Sequence, residues 1–185
     1  MAQQHGERHS GETITSLRID PIGPTEGFTL MTTAQDVDGR LADVHSAYHE
    51  NQSPPLRWDP VPEAVSYALI VEDPDAPREL PFVHWLMWNI PATVNELPAG
   101  IPESIAASDP LGAVQGRNDA GTYGWFGPKP PPGHGVHRYY FQLFALTEML
   151  TFEPDTPLEQ LVNALKGLTL AKAELVATYE APTEQ

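Results

Sequence analysis

A chain of 185 residues suits one domain with a substantial core. With 25 acidic against 10 basic residues its formal charge is −15, which excludes the basic patch that nucleic-acid binding requires and disfavours an anionic membrane surface. It contains no cysteine, which rules out disulfides, thiolate chemistry and Cys-ligated metals, and no apolar run approaches the length of a membrane span.

The N-terminus, "MAQQHGERHSGET", is polar and lacks the apolar stretch of a secretory signal. Residues 1–12 are expected as a disordered tail with His5 and His9 solvated, and residues 13–182 as a single domain of a cytoplasmic, soluble protein. Twenty prolines, about twice the usual share, favour loops and edges over long helices. "TITSLRI" and "GFTLMTT" are expected as strands. In "HSAYH", His45 and His49 have helical i, i+4 spacing, but Ser46 stands where a zinc protease needs Glu.

"VSYALIVED", 65–73, is an apolar β-prone run whose alternation puts Val65, Tyr67, Leu69, Val71 and Asp73 on one face. "EDPDAP" follows, where Pro74 and Pro77 stop the strand and Asp73 can cap its own turn. A calcium loop beginning at Asp73 would need Asp or Asn, Gly and Glu where Pro77, Arg78 and His84 stand, so calcium is rejected. "FVHWLMWNI", 82–90, is apolar on both faces and predicts a doubly covered central strand. Strict alternation groups Phe82, His84, Leu86, Trp88 and Ile90 against Val83, Trp85 and Met87. A lone His in such a strand is usually a hydrogen-bonded core residue, but antiparallel pairing would bring Asp73 and His84 to one sheet end. A carboxylate there would raise the imidazole pKa.

Prolines at 128, 130, 131 and 132 stiffen the next loop, and Gly133 and Gly135 permit turns closed to other residues. The segment fits either a partner-binding PxxP surface, Pro128-x-x-Pro131, or a rigid pocket wall. In "HGVH", His134 and His137 supply two metal-ligand types without a clear third nearby. "HRYYFQLFAL", 137–146, is a further buried strand with His137 and Tyr139 on one face and Arg138, expected in a structural ion pair, on the other. Thr156-Pro157-Leu158-Glu159 reads as a capping box opening a helix carried by Leu158, Leu161, Val162, Leu165 and Leu168. "ELVATYE" is a late strand. The pattern is mostly β, a sandwich with helix at its margin. Neither Ser53 nor Ser66 lies in a G-x-S-x-G elbow, which argues against a serine hydrolase.

"SPPLRW", "VEDPDAP", "HWLMWNIP" and "GPKPPPGHGVHRYYFQLFAL", in this order and followed by the late helix and "AELVATYE", resemble the phosphatidylethanolamine-binding protein (Raf kinase inhibitor-like) family in its short bacterial form. The resemblance covers most of residues 15–180. It implies a large sheet packed on a smaller one with a C-terminal helix, and an anion pocket at one sheet end. Carried over residue by residue, the ligand-binding set is Asp73, His84, His137 and Tyr139, walled by Pro77, Trp85, Pro130 and Pro131. It further implies binding of phosphate or phospholipid head-group-like ligands, and in some relatives inhibition of a kinase or protease; homodimers occur among bacterial members. Lys129 departs from the small residue more usual in the proline loop, and His45 and His49 have no counterpart in the family pattern.

The expected function is therefore non-catalytic binding of a small anionic or phosphorylated ligand, without cofactor or metal. The alternative is a hydrolase of phosphate or acyl esters with His84 as base, oriented by Asp73.

Overall fold

The computed structural model describes residues 14–183. Four long strands build the frame: β3 (Ser66–Asp73), β4 (Phe82–Pro91), β8 (His137–Leu146) and β9 (Thr169–Tyr179). With β6 (Ala106–Ser108) and β7 (Leu111–Gln115) they form a six-stranded antiparallel sheet ordered β6-β7-β4-β3-β8-β9. Three short strands, β1 (Leu30–Met31), β2 (Leu56–Trp58) and β5 (Glu96–Leu97), make a second antiparallel sheet ordered β1-β2-β5. The fold is mostly β, as its composition and strand pattern predict.

The large sheet is covered on both sides, which is why β3 is buried at every position. On one face Tyr67, Leu69, Val71, Phe141 and Leu143 pack against Leu30, Leu56, Trp58 and Leu97 of the small sheet. On the other, Ala68, Ile70, Phe144 and Leu146 meet Leu161, Val162 and Leu165 of α1 (Leu158–Leu168). The helix precedes the last strand, β9.

Strict alternation fails in β4, which carries two extra residues. Val71 pairs with Trp85 but Glu72 with Val83, so His84 is a bulge; a second shift falls between the Tyr67 and Leu69 pairs, where Asn89 takes φ +56°. Each bulge resets the phase. Trp85, Met87 and Ile90 therefore join the core against the small sheet, while Val83, Leu86 and Trp88 join the helix side. The expected grouping of Ile90 with Leu86 and Trp88, and of Val83 with Trp85, is corrected accordingly.

Other expectations are also revised. In "TITSLRI" the described residues, 14–19, form not a strand but a 3-10 turn, Thr15–Arg18. Its backbone donors go to side chains rather than to a ladder: Thr15 N–H to Glu72 at 2.8 Å and Ser16 N–H to Gln142 at 2.5 Å. "GFTLMTT" contributes only the two residues of β1. The capping box does not form. Pro157 is itself the N-cap, in extended conformation, and Glu159 instead pairs with Arg18 at 2.6 Å. "HSAYH" is not helical either: a 3-10 turn ends at His45 and Ser46 is extended, so the two histidines do not share a helix face. The expected tail, residues 1–12, lies outside the described residues.

Candidate functional site

At one end of the large sheet β3, β4 and β8 frame a cavity of about 310 Å³. Asp73 and His137, the terminal residues of β3 and β8, reach it together with His84 of β4. All three are almost fully buried. Pro77, Pro130 and Pro131 supply wall, and Phe82 and Phe126 add aromatic faces. Lys129 and Arg78 bring the cations to its lining, both from exposed positions.

The hydrogen bonds fix the chemistry of each group. Asp73 accepts the Asp75 N–H at one oxygen, 2.7 Å, and the His137 Nδ1–H at the other, 2.7 Å. The other ring nitrogen of His137, Nε2, lies 2.6 Å from His134 Nδ1. His84 donates Nδ1–H to the Phe126 carbonyl at 2.5 Å, since a carbonyl can only accept. The Phe126 N–H returns to the His84 carbonyl at 2.9 Å, so backbone and ring of the bulged residue are pinned by one partner. That leaves Nε2 as the atom His84 offers to the cavity. Burial pushes the His84 pKa below its ordinary value, against the opposing pull of the Phe126 carbonyl and Asp73. His84 is thus neutral near pH 7 and presents a lone pair.

Asp73 and His84 do share the sheet end, but they are not each other's partners. Asp73 takes His137, from the strand on its other side, so the expected rise in the His84 pKa is replaced by a fall. Trp85 and Tyr139 are fully buried and do not line the cavity. Trp85 gives its indole N–H to Gln115 at 3.0 Å, and stacks edge-on against Trp125. Tyr139 stands edge-on beneath His84, ring centroids 5.0 Å apart, with its hydroxyl buried and unpaired within the protein. Burial raises its pKa, so it remains protonated.

Arg138 forms the ion pair expected of it. Its backbone N–H and guanidinium both reach Asp75, at 2.8 to 2.9 Å. Burial alone would raise the Asp75 carboxyl, but these bonds outweigh it and hold it below the usual range. The pair anchors the turn after β3 to the start of β8 and so keeps Asp73 beside His137.

Residue types alone did not single out Phe82, Phe126 and Arg78. Phe126 directly precedes the proline loop and carries no polar signal, and Arg78 enters the sequence reading only as a mismatch to a calcium loop. His45, although buried, is outside the site; its Nδ1 meets the Gln52 carbonyl at 2.8 Å. Among the described residues no three His, Asp or Glu side chains are arranged to hold a metal. A larger hollow, about 930 Å³, lies over the small sheet, but its Arg57 and Glu96 sit on exposed strand positions and no buried titratable group faces it. Convergent buried chemistry, not size, favours the smaller cavity.

The sequence profile of the family described as Phosphatidylethanolamine-binding protein matches residues 27–180. A UPF0098 protein of Methanothermobacter thermautotrophicus is 44% identical over 151 residues, which span 81% of this chain and 97% of the relative. The UPF0098 protein YbcL of Escherichia coli is 41% identical over 132 residues, 70% of this chain and 72% of YbcL. The crystal structure of E. coli YbcL, called a new member of the mammalian PEBP family, superposes with a TM-score of 0.76 at 33% identity, covering 84% of this chain and 99% of that one. A putative PEBP homologue from Chlamydia trachomatis superposes at 0.74 and 37% identity, covering 84% and 99%.

Proposed function

The chain belongs to the phosphatidylethanolamine-binding protein family, and from that premise we propose that it is a non-catalytic binder of a small phosphorylated ligand, held as a singly charged oxyanion in the cavity of Asp73, His84 and His137. The observation that carries this reading is the mismatch between the buried groups and the rim. Asp73 and neutral His84 are acceptors, whereas Lys129 and Arg78 are cations at exposed positions. A fully ionised dianion would meet lone pairs at the bottom. A phosphate monoester near its second pKa of about 6 still carries a proton. Its P–OH can donate to Asp73 or His84 while its charged oxygens face the cations.

A hydrolase built on Asp73 and His84 loses its orienting hydrogen bond, because Asp73 serves His137 and His84 serves Phe126. Among the lining residues none is a Ser, Thr or Cys that could act as nucleophile.

Phosphate and phosphoethanolamine titrations of the full chain test the reading by calorimetry. Affinity is expected to fall from pH 6 to pH 8, by up to about tenfold per unit above the ligand's pKa. Equal affinities at the two pH values would sink the account.

A further inference from the structure

We propose that His134 is a second anion-binding imidazole, and that a tetrahedral oxyanion enters by parting it from His137 and taking one N–H from each ring. This deepens the anion reading of the cavity and rests on it.

Three observations carry the inference. His134 Nδ1 and His137 Nε2 lie 2.6 Å apart, with ring centroids at 4.8 Å and the rings inclined at 66°. Only one proton fits between two nitrogens at that distance. Behind the pair, His137 Nδ1–H is committed to Asp73 at 2.7 Å, so the chain of groups runs from a buried carboxylate to a half-buried imidazole on the loop. Finally, His134 is flanked by Gly133 and Gly135 at φ +77° and +82°, and the space a Cβ would occupy at Gly133 is open for 4 Å. The turn is closed by His134 N–H to the Pro131 carbonyl at 3.0 Å, and a glycine on either side leaves its backbone permissive.

Proton counting gives the binding step. In the neutral pair His137 carries Nδ1–H toward Asp73, and His134 Nδ1–H fills the space before His137 Nε2. Placed on His134 Nε2 a further proton leaves this contact intact; placed on His137 Nε2 it sets two N–H groups head to head, an arrangement that an oxyanion between the parted rings stabilises. An oxyanion between them then accepts from both. Asp73 offsets the new imidazolium charge. Binding therefore takes up one proton, drawn from solution by an anion such as sulfate or supplied by the ligand's own P–OH. Facing the pair are Asp73 from β3, Asp75 from the turn after it, His84 from β4, Arg138 and Tyr139 along β8, and Tyr179 of β9 opposite His137, with Lys129 and Arg78 lining the cavity.

Sulfate is the discriminating probe, because it stays a dianion between about pH 5.5 and 8 and brings no proton of its own. Calorimetry of the full chain in two buffers of different ionisation heat is expected to show about one proton taken up per sulfate. His134→Ala is expected to weaken sulfate about tenfold at pH 6, and His134→Gln, which keeps an N–H donor, to restore most of it. A merely structural role for His134 would give neither proton uptake nor rescue. Phosphate bound equally by wild type and His134→Ala would overturn the assignment and leave the cavity reading standing. Binding of neither anion by wild type would remove both. Zinc-dependent stabilisation lost in His134→Ala would overturn the anion role by making the pair metal ligands.

Discussion

His84 shows how far placement changes a side chain. Buried and pinned to Phe126, it has a folded pKa below the unfolded value of about 6.5. A depressed pKa contributes stability that is complete above the unfolded value and is lost as pH falls through the folded one. The thermal midpoint of the ligand-free protein is expected to drop on acidification from about pH 7.5 to 5, and His84→Gln to flatten that slope. An unchanged slope in the variant would show that His84 is not the group being titrated. The sequence placed Asp73, His84 and His137 at strand ends, and all three line the cavity. What it withheld was who pairs with whom. Asp73 has a neighbour strand on each side, and its carboxylate chose His137, 64 positions away, over His84, 11 away. Local spacing cannot decide between flanking strands.

The first part of the proline loop, residues 127–130, is held as firmly by what it touches as by its own rings. Its carbonyl at Pro128 accepts the Ala47 N–H at 3.0 Å, its carbonyl at Pro130 accepts the Tyr48 hydroxyl at 2.6 Å, and the Gly127 N–H donates to Asn51 at 2.7 Å. A Cβ on Gly127 would lie 2.1 Å from the His45 carbonyl oxygen and 3.0 Å from the Ala47 nitrogen, both backbone atoms. Gly127→Ala is therefore expected to cost about 1–3 kcal/mol in urea unfolding and to weaken anion binding together with it. Full stability in that variant would mean the loop is not strapped to the 45–51 turn. The prolines were legible as a stiff wall, but the turn that clamps them lies some eighty positions upstream, beyond any periodicity. The three longest apolar runs were legible as β3, β4 and β8 almost to the residue, because burial on both faces leaves continuous hydrophobic stretches. β5, β6 and β7, from two to five residues long, carry too little pattern to be read.

For the whole molecule, an excess of fifteen negative charges sets the electrostatic balance. Arg18, Arg40, Arg78, Arg117 and Arg138 are each engaged by a carboxylate, which leaves most of the acidic surface uncompensated. Raising sodium chloride from about 10 to 150 mM is expected to raise the thermal midpoint by screening this self-repulsion; a fall would mean that the ion pairs outweigh it. The six-stranded sheet itself owes nothing to His84. Without that residue Val83 and Trp85 would be consecutive, still opposite Glu72 and Val71, and both cores would keep their members. The loss of a single codon could thus erase one wall of the cavity and spare the architecture around it. By the same logic, a one-codon insertion into a regular strand could have created it. On the proposed reading of the cavity, a single residue of strand length separates a binding fold from a bare one.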